Sequence, residues 1–156
     1  MSTIGSIDGV SVKNLVRHAD DRGFFCEVLK AGEPSAISVR QTSYTETHPG
    51  IIKAFHWHRK QWDSWFVVGG SAQVVLHDLR DGSPTKGTTQ VIYAGSETPR
   101  LISIPPGVAH GYRVLGTERV RLFYHTSEAY DPTEPDEERV PHDDAGIGFD
   151  WNTKNR

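Results

Sequence analysis

Short runs of β-branched and aromatic residues recur along the chain, and turns rich in glycine and proline separate them. No stretch keeps apolar residues at α-helical spacing for more than about two turns. β-branched and aromatic residues favour strands, whereas glycine and proline favour the turns between them. The pattern therefore predicts an all-β protein with strands at residues 24–29, 37–44, 51–58, 64–68, 72–79, 88–93, 100–104, 111–115 and 120–124.

Strands at this regular spacing point to a sandwich, a jelly roll or a closed barrel. A chain of 156 residues is long enough for one domain with a real core and too short for two ordinary ones. The tail from residue 131 onward begins with an acidic run, which would be a solvated loop. It ends in the apolar segment 147–151, which we expect to pack back onto the barrel.

The charge and cysteine content narrow the classes of function. A formal net charge of -3 provides no broad positive field, so nucleic acid and anionic membranes are not expected partners. The single cysteine, Cys26, cannot form an internal disulfide, and the N-terminal segment resembles neither a signal peptide nor a membrane span. We therefore expect a cytoplasmic protein.

Three histidines and one acid stand out by their spacing. His56 and His58 lie two residues apart in a predicted strand, so both side chains project from the same face. Asp63 follows five residues later, and His110 comes after the turn at 105–107. That shared face could line the interior of a barrel.

This spacing resembles the two signature segments of cupins. The first runs from Gly50 through His56 and His58 to Asp63 and Gly70, and the second from Pro105 to His110. In many cupins these positions bind a divalent metal, and imidazoles with one carboxylate suit iron, zinc, manganese or nickel. The alternative is a metal-free site in which His56 acts as a base and the other residues orient a substrate.

Beyond these motifs, residues 20–151 resemble the dTDP-4-dehydrorhamnose 3,5-epimerase family, a metal-free branch of the cupins. The resemblance is carried by the ordered segments 21–27, 78–85, 104–112, 130–132 and 143–151, together with Gln41 and Tyr124.

The resemblance implies a cupin double-stranded β-helix, a jelly-roll barrel, formed by one domain over residues 1–156. It also implies an N-terminal strand extension and a C-terminal tail that packs back on the barrel. The implied substrate is a nucleotide-linked 4-keto-6-deoxyhexose, epimerised without a metal or other cofactor. Family members are usually homodimers in which a strand of one subunit extends the sheet of the other.

The resemblance also assigns roles by position. His56 matches the general base, Asp144 the carboxylate that orients it, and Tyr124 the tyrosine on the opposite face of the sugar. Tyr130 matches an aromatic residue that packs on the nucleotide. The remaining matched positions are Arg22 and Glu27, which contact the diphosphate and base, and Gln41 and His110, which belong to the inner polar lining.

The chemistry is consistent with these residue types. A proton alpha to the C4 ketone is weakly acidic, so its removal needs a base with a pKa of about 7 and support for the enolate oxygen. Histidine is such a base, and a carboxylate on its other nitrogen fixes the tautomer. A tyrosine hydroxyl can reprotonate the carbon from the other side. Taken singly, Asp144 could equally cap a turn, and Tyr124 could be a satisfied core tyrosine.

Three departures from the family pattern fall inside the site. The usual Arg-Gly before the histidine reads Lys53-Ala54, a glutamine is replaced by His58, and the enolate-stabilising lysine aligns with Asp63. Lys53 could still serve the enolate, and Gln61 could replace the inner glutamine. A metal ion held by the histidines and Asp63 is the alternative source of positive charge.

These departures leave several outcomes open. The enzyme could invert C3, C5 or both, or move the ketone from C4 to C3, as sugar ketoisomerases with an HxH segment do. All of these begin with the same proton abstraction. Rival hypotheses are a metal-dependent cupin that acts on another small molecule through His56, His58, Asp63 and His110, and a binding cupin without catalysis.

Overall fold

The computed structural model describes residues 3–156 and contains only strands, turns and loops within that range. The predicted all-β class is confirmed. The strands are β1 (Thr3–Ile4), β2 (Ser11–Asn14), β3 (His18–Asp20), β4 (Gly23–Phe25), β5 (Gln41–Thr47), β6 (Ile52–Trp57), β7 (Asp63–Gly69), β8 (Ser71–Asp78), β9 (Thr88–Gly95), β10 (Arg100–Ile104), β11 (Val108–Leu115), β12 (Val120–Thr126) and β13 (Glu138–Arg139).

Two sheets pack face to face in a jelly-roll arrangement. The first has the order β1-β9-β8-β11-β6-β13, the second has the order β2-β10-β7-β12-β5, and β3 and β4 form a separate hairpin. The main core lies between the sheets, because alternate side chains of each strand point inward. Val74 and Leu76 enter it from the first sheet, and Trp65, Ile102 and Leu122 enter it from the second.

The C-terminal tail packs on the outer face of the first sheet. Ile147 and Trp151 are buried there against Phe55, Val75 and Ala109, which form a second apolar cluster. The Trp151 indole also donates a hydrogen bond to the carbonyl of residue 142. Residues of the first sheet therefore alternate between the barrel interior and the surface that the tail covers.

Some predicted strand boundaries were wrong. The strand expected at 24–29 pairs only over Gly23–Phe25, and the strand expected at 37–44 begins at Gln41. The polar strand Ser11–Asn14 was missed, because its pairing comes from β10, about 90 residues away in sequence, and not from local apolar character. The predicted domain covers residues 1–156, of which residues 1 and 2 lie outside the described part.

A close backbone approach between β6 and β11 positions the histidines. A Cβ atom on Gly111 would lie 2.3 Å from the Cβ of Ala54 and 2.7 Å from the carbonyl oxygen of Lys53. Only glycine therefore permits this contact. The resulting register sets His110 directly opposite His56.

Within residues 3–156, no helix is long and apolar enough to span a membrane.

Candidate active site

A cavity of about 590 Å³ opens between the two sheets. Lys53 and His56 line it from β6, and Gln41 and Tyr124 line it from β5 and β12 in the opposite sheet. The segment 128–137 forms part of the rim. The cavity is therefore polar on both walls and can bring two faces of one small molecule against different groups.

The three predicted histidines and Asp63 meet at this cavity. One potential ligand atom from each of His56, His58, Asp63 and His110 lies within 4.8 Å of those of the other three. The rings of His56 and His110 are 4.3 Å apart, as the β6–β11 register requires. Asp63 joins them at the start of β7, in the opposite sheet.

Asp63 is buried at the centre of the cluster and is held by several contacts. The Gln61 side-chain amide donates a 2.7 Å hydrogen bond to Oδ1, and the Trp65 indole donates a 3.1 Å bond to Oδ2. Nε2 of His58 lies 3.5 Å from Oδ1, and Nε2 of His110 lies 3.4 Å from Oδ2. Burial alone would raise the pKa of Asp63, but contacts with His110 and His58 hold it well below its ordinary value. Asp63 is therefore a carboxylate at neutral pH.

The imidazole of His56 is uncharged at neutral pH. Burial, together with the neighbouring His110 and His58, lowers its pKa to about 2. No side chain among the described residues hydrogen-bonds to its ring. The imidazole is thus neutral and lines the cavity where a substrate can reach it, but at this pKa it is a weaker proton acceptor than the base of pKa about 7 that the reaction calls for.

His58 is fixed by a residue that the sequence pattern did not single out, Asp136. Nδ1 of His58 donates a 2.5 Å hydrogen bond to the Asp136 backbone carbonyl. The Asp136 carboxylate accepts hydrogen bonds from the backbone N–H groups of Arg59, Lys60 and Gln61. Burial lowers the pKa of His58, but Asp63 and then Asp136 raise it by more. No local pattern in the acidic run signalled this role.

The structure places other predicted residues along the same cavity. Lys53 lines it from the first sheet, with its ammonium 3.3 Å from the Thr45 hydroxyl. Gln41 accepts a 2.8 Å hydrogen bond from the backbone N–H of Tyr130. The Tyr130 ring is 65% exposed at the cavity rim, so it is free to pack on a ligand.

Arg22 and Glu27 do not line this cavity. Arg22 is exposed on the β3–β4 hairpin and pairs with Asp20, and Glu27 is exposed and lies 3.7 Å from Lys30. Within this single chain, therefore, neither contributes to the cavity wall beside His56.

The predicted pairing of Asp144 with His56 is not made in this structure, which corrects the expectation. The Asp144 carboxylate instead accepts hydrogen bonds from the backbone N–H groups of Gly146 and Ile147, so it caps a turn. The physical reason is the path of the tail, which runs over the outer face of the first sheet, whereas His56 projects inward. The carboxylate next to the cavity histidines is Asp63.

Comparisons with known proteins identify the family and agree with the fold. The family model described as dTDP-4-dehydrorhamnose 3,5-epimerase matches residues 5–156. The spore coat polysaccharide biosynthesis protein SpsL of Bacillus subtilis is 53% identical over 96% of this chain and 99% of its own length. The probable low-salt glycan biosynthesis epimerase Agl13 of Haloferax volcanii is 34% identical over 96% and 97%, respectively.

A solved structure has the same architecture. The 3,5-epimerase of Legionella pneumophila, in complex with dTDP-4-keto-L-rhamnose, superposes with a TM-score of 0.84 at 26% identity. The match covers 100% of this chain and 85% of that one. The predicted family resemblance and the cupin jelly-roll fold are confirmed.

Proposed function

The chain belongs to the dTDP-4-dehydrorhamnose 3,5-epimerase family of isomerases, and we propose that it epimerises a nucleotide-linked 4-keto-6-deoxyhexose at C3, C5 or both. The observation that carries this proposal is the arrangement of the cavity. A neutral, unpaired imidazole at His56 faces it from one sheet, and the phenol of Tyr124 faces it from the other. Base and acid thus address opposite faces of a sugar ring.

The reaction needs only proton transfers. A ring nitrogen of His56 takes the proton from the carbon next to the C4 ketone, and the C–H electrons form an enolate whose charge rests on oxygen. The Tyr124 hydroxyl then donates its proton to the opposite face of that carbon, which inverts the centre. The ammonium of Lys53 lines the same cavity and provides positive charge for the anionic oxygen or the diphosphate.

The rim of the cavity suits the nucleotide part of the substrate. Tyr130 offers an exposed aromatic face on which a base can stack, and Gln41 fixes the backbone beneath it. His58, Gln61 and Asp63 add to the polar inner lining, and His110 is buried directly behind them.

We propose that the protein works as a cytoplasmic homodimer of single-domain chains. Arg22 and Glu27 lie outside the cavity of their own chain, but the hairpin that carries Arg22 could reach the cavity of a second copy. The exposed rings of Phe24 and Phe25 support this arrangement, because 61% and 64% of their surfaces remain accessible in the isolated chain.

The test is exchange of solvent deuterium into dTDP-linked and other nucleotide-linked 4-keto-6-deoxyhexoses, followed by NMR. We expect exchange at C3 or C5 with the unaltered protein. His56→Asn should slow it by about 100-fold or more, because general base catalysis contributes about that much. His48→Asn is the matched control, since His48 is exposed in a turn away from the cavity. Unchanged exchange in His56→Asn would refute the role of His56.

The same enolate could instead move the ketone from C4 to C3. The observation that favours this second reaction is the presence of two histidines, His56 and His58, on the cavity wall. The product distinguishes the two reactions, because a ketoisomerase yields a 3-keto sugar, whereas an epimerase keeps the ketone at C4.

A further inference from the structure

A buried histidine nitrogen with no hydrogen bond lies behind the inner wall of the cavity. His110 is 1% exposed, and its Nε2 makes no hydrogen bond to any of the described residues. The atom faces Oδ2 of Asp63 at 3.4 Å. Leaving a buried polar atom unpaired costs free energy, so this arrangement calls for a partner.

The tautomers of the two inner histidines follow from their backbone contacts. Nδ1 of His110 lies 2.9 Å from the carbonyl oxygen of Val108, and Nδ1 of His58 lies 2.5 Å from that of Asp136. Because a carbonyl oxygen can only accept a hydrogen bond, each of these Nδ1 atoms carries the hydrogen. In the neutral rings the two Nε2 lone pairs then point at the Asp63 carboxylate.

Three electron-pair donors therefore converge on one point. Nε2 of His58 also lies 3.4 Å from the Gln61 side-chain amide, so Nε2 of His110 is the atom that has no hydrogen bond when both rings are neutral. A single cation would satisfy His58, Asp63 and His110 together. Backbone carbonyls that orient the ligand imidazoles through their second nitrogen are a regular feature of metal sites in proteins.

The distances suit such a cation. Nε2 of His58 lies 3.5 Å from Oδ1 of Asp63, and Nε2 of His110 lies 3.4 Å from Oδ2, so each imidazole faces a different oxygen of the same carboxylate. Ligands bound tetrahedrally at about 2.1 Å are about 3.4 Å apart. Gln61 and Trp65 hold the two carboxylate oxygens from outside the cluster, so Asp63 is already oriented.

We propose that His58, Asp63 and His110 bind one divalent transition-metal cation at the inner end of the cavity, beside His56. Two imidazoles and one carboxylate suit zinc, iron(II), manganese or nickel, and three protein ligands leave positions open for an oxygen of the substrate. The metal-free reaction implied by the sequence resemblance is thereby revised for this chain, in which a histidine and an acid replace the family's glutamine and lysine.

The catalytic role of this cation rests on the proposed function. It would supply, next to His56, the positive charge that an enolate oxygen needs, and that the aligned lysine no longer supplies. Binding of the metal does not depend on that role, so the two can be tested separately.

The binding test uses full-length protein purified without a polyhistidine tag. Metal analysis should find about one equivalent per chain after growth in medium supplemented with zinc, iron, manganese and nickel. After chelation, titration with Co²⁺ should produce visible absorption bands that saturate at one equivalent. These measurements need no variant, so they remain decisive if a variant fails to fold. Absence of both stoichiometric metal and a Co²⁺ spectrum would overturn the site.

Variants then assign the ligands. Asp63→Asn and His110→Asn should reduce metal content at least about tenfold, whereas His56→Asn and the exposed control His48→Asn should keep it. Full metal content in both ligand variants, or its loss in His56→Asn, would contradict the three-residue assignment.

Activity separates this inference from the proposed epimerisation. Chelated protein should exchange deuterium at least about tenfold more slowly and recover when metal returns. Unchanged exchange after chelation would refute the catalytic role of the cation. If metal-loaded protein catalysed no exchange of solvent deuterium into any nucleotide-linked ketosugar, the epimerisation would be refuted, but the metal site would not.

Discussion

His110 and Asp63 face each other across the barrel interior, with Nε2 of the imidazole 3.4 Å from Oδ2 of the carboxylate. The two residues belong to opposite sheets, so this contact exists only when the jelly roll is closed. It places the Asp63 carboxylate beside the inner histidines and leaves His56 on the adjacent cavity wall. Variants of the surrounding residues test the consequences of that arrangement.

Replacing Tyr124, the proposed acid, should separate removal of the proton from inversion of the carbon. In Tyr124→Phe, His56 can still remove the proton, but no hydroxyl is present to reprotonate the opposite face. We expect solvent exchange to stay within about tenfold of the unaltered rate, and the yield of epimer to fall by about 100-fold. NMR measures both in one sample.

Tyr44→Phe is the matched control for that experiment. Tyr44 lies on neighbouring strand β5, but its hydroxyl bonds to Glu46 on the exposed face. Equal loss of exchange and inversion in Tyr124→Phe would show that the tyrosine acts elsewhere in the reaction.

Asp144→Ala should affect stability and leave catalysis largely intact. The variant loses two hydrogen bonds to the backbone N–H groups of Gly146 and Ile147. We expect the free energy of unfolding to fall by about 1–2 kcal/mol, and kcat to stay within about twofold because Asp144 does not touch His56. Urea unfolding and deuterium exchange measure the two effects. A 100-fold loss of kcat in folded protein would instead show that Asp144 acts together with His56 in catalysis.

Asp136 is expected to act as a positioning residue for His58. Asp136→Ala removes the carboxylate that accepts hydrogen bonds from the backbone N–H groups of residues 59–61. The loop should loosen, with a loss of about 2 kcal/mol in unfolding free energy and a lower kcat. Asp136→Asn keeps one acceptor oxygen and should recover part of both. If Asp136→Ala lost stability but kept full kcat, the positioning role would be wrong.

Gly111→Ala should disrupt the pairing of β6 with β11. The added Cβ would collide with backbone atoms of residues 53 and 54, which cannot move aside as a flexible side chain could. We expect a loss of about 3 kcal/mol in unfolding free energy. Gly5→Ala is the control, because its Cβ would meet only the Thr88 methyl group at 3.5 Å. Equal stability of the two variants would refute the close-approach argument.

Asp78 should make the stability of the protein sensitive to acid. Burial alone would raise its pKa, but hydrogen bonds from Arg80, Ser83 and Thr85 hold it well below the ordinary carboxyl value. As the pH falls, the Asp78 carboxyl therefore takes up a proton in the unfolded chain at a higher pH than in the folded chain. The stabilisation is complete above the unfolded pKa of about 3.9 and disappears as the pH falls through the folded value.

The variant Asp78→Asn tests this predicted dependence of stability on pH. Its deficit in unfolding free energy should be largest near neutral pH and should shrink below pH 4 by up to about 1.4 kcal/mol per pH unit. Urea unfolding at a series of pH values measures the difference. A deficit that stays constant from pH 7 to pH 3 would show that the charge of Asp78 contributes nothing.

Local patterns were sufficient to identify most of the strands and the histidines. Strand periodicity is a property of neighbouring residues, so the alternation around His56 and His58 is enough by itself to place both on one face. The spacing of the two cupin segments then brought Asp63 and His110 into the same group. This inference holds because the turn glycines and prolines between the strands constrain how the chain returns.

Only the tertiary structure decided which carboxylate lies beside the cavity histidines. Asp144 and Asp136 both lie in the acidic tail, and nothing in their local sequence indicates which side of a sheet each will meet. Burial of Ile147 and Trp151 draws Asp144 to the outer face, whereas the backbone N–H groups after His58 draw Asp136 to the cavity rim. Contacts of this kind depend on the path of the whole chain, because they join residues about 75 positions apart that meet only after the sheets have packed.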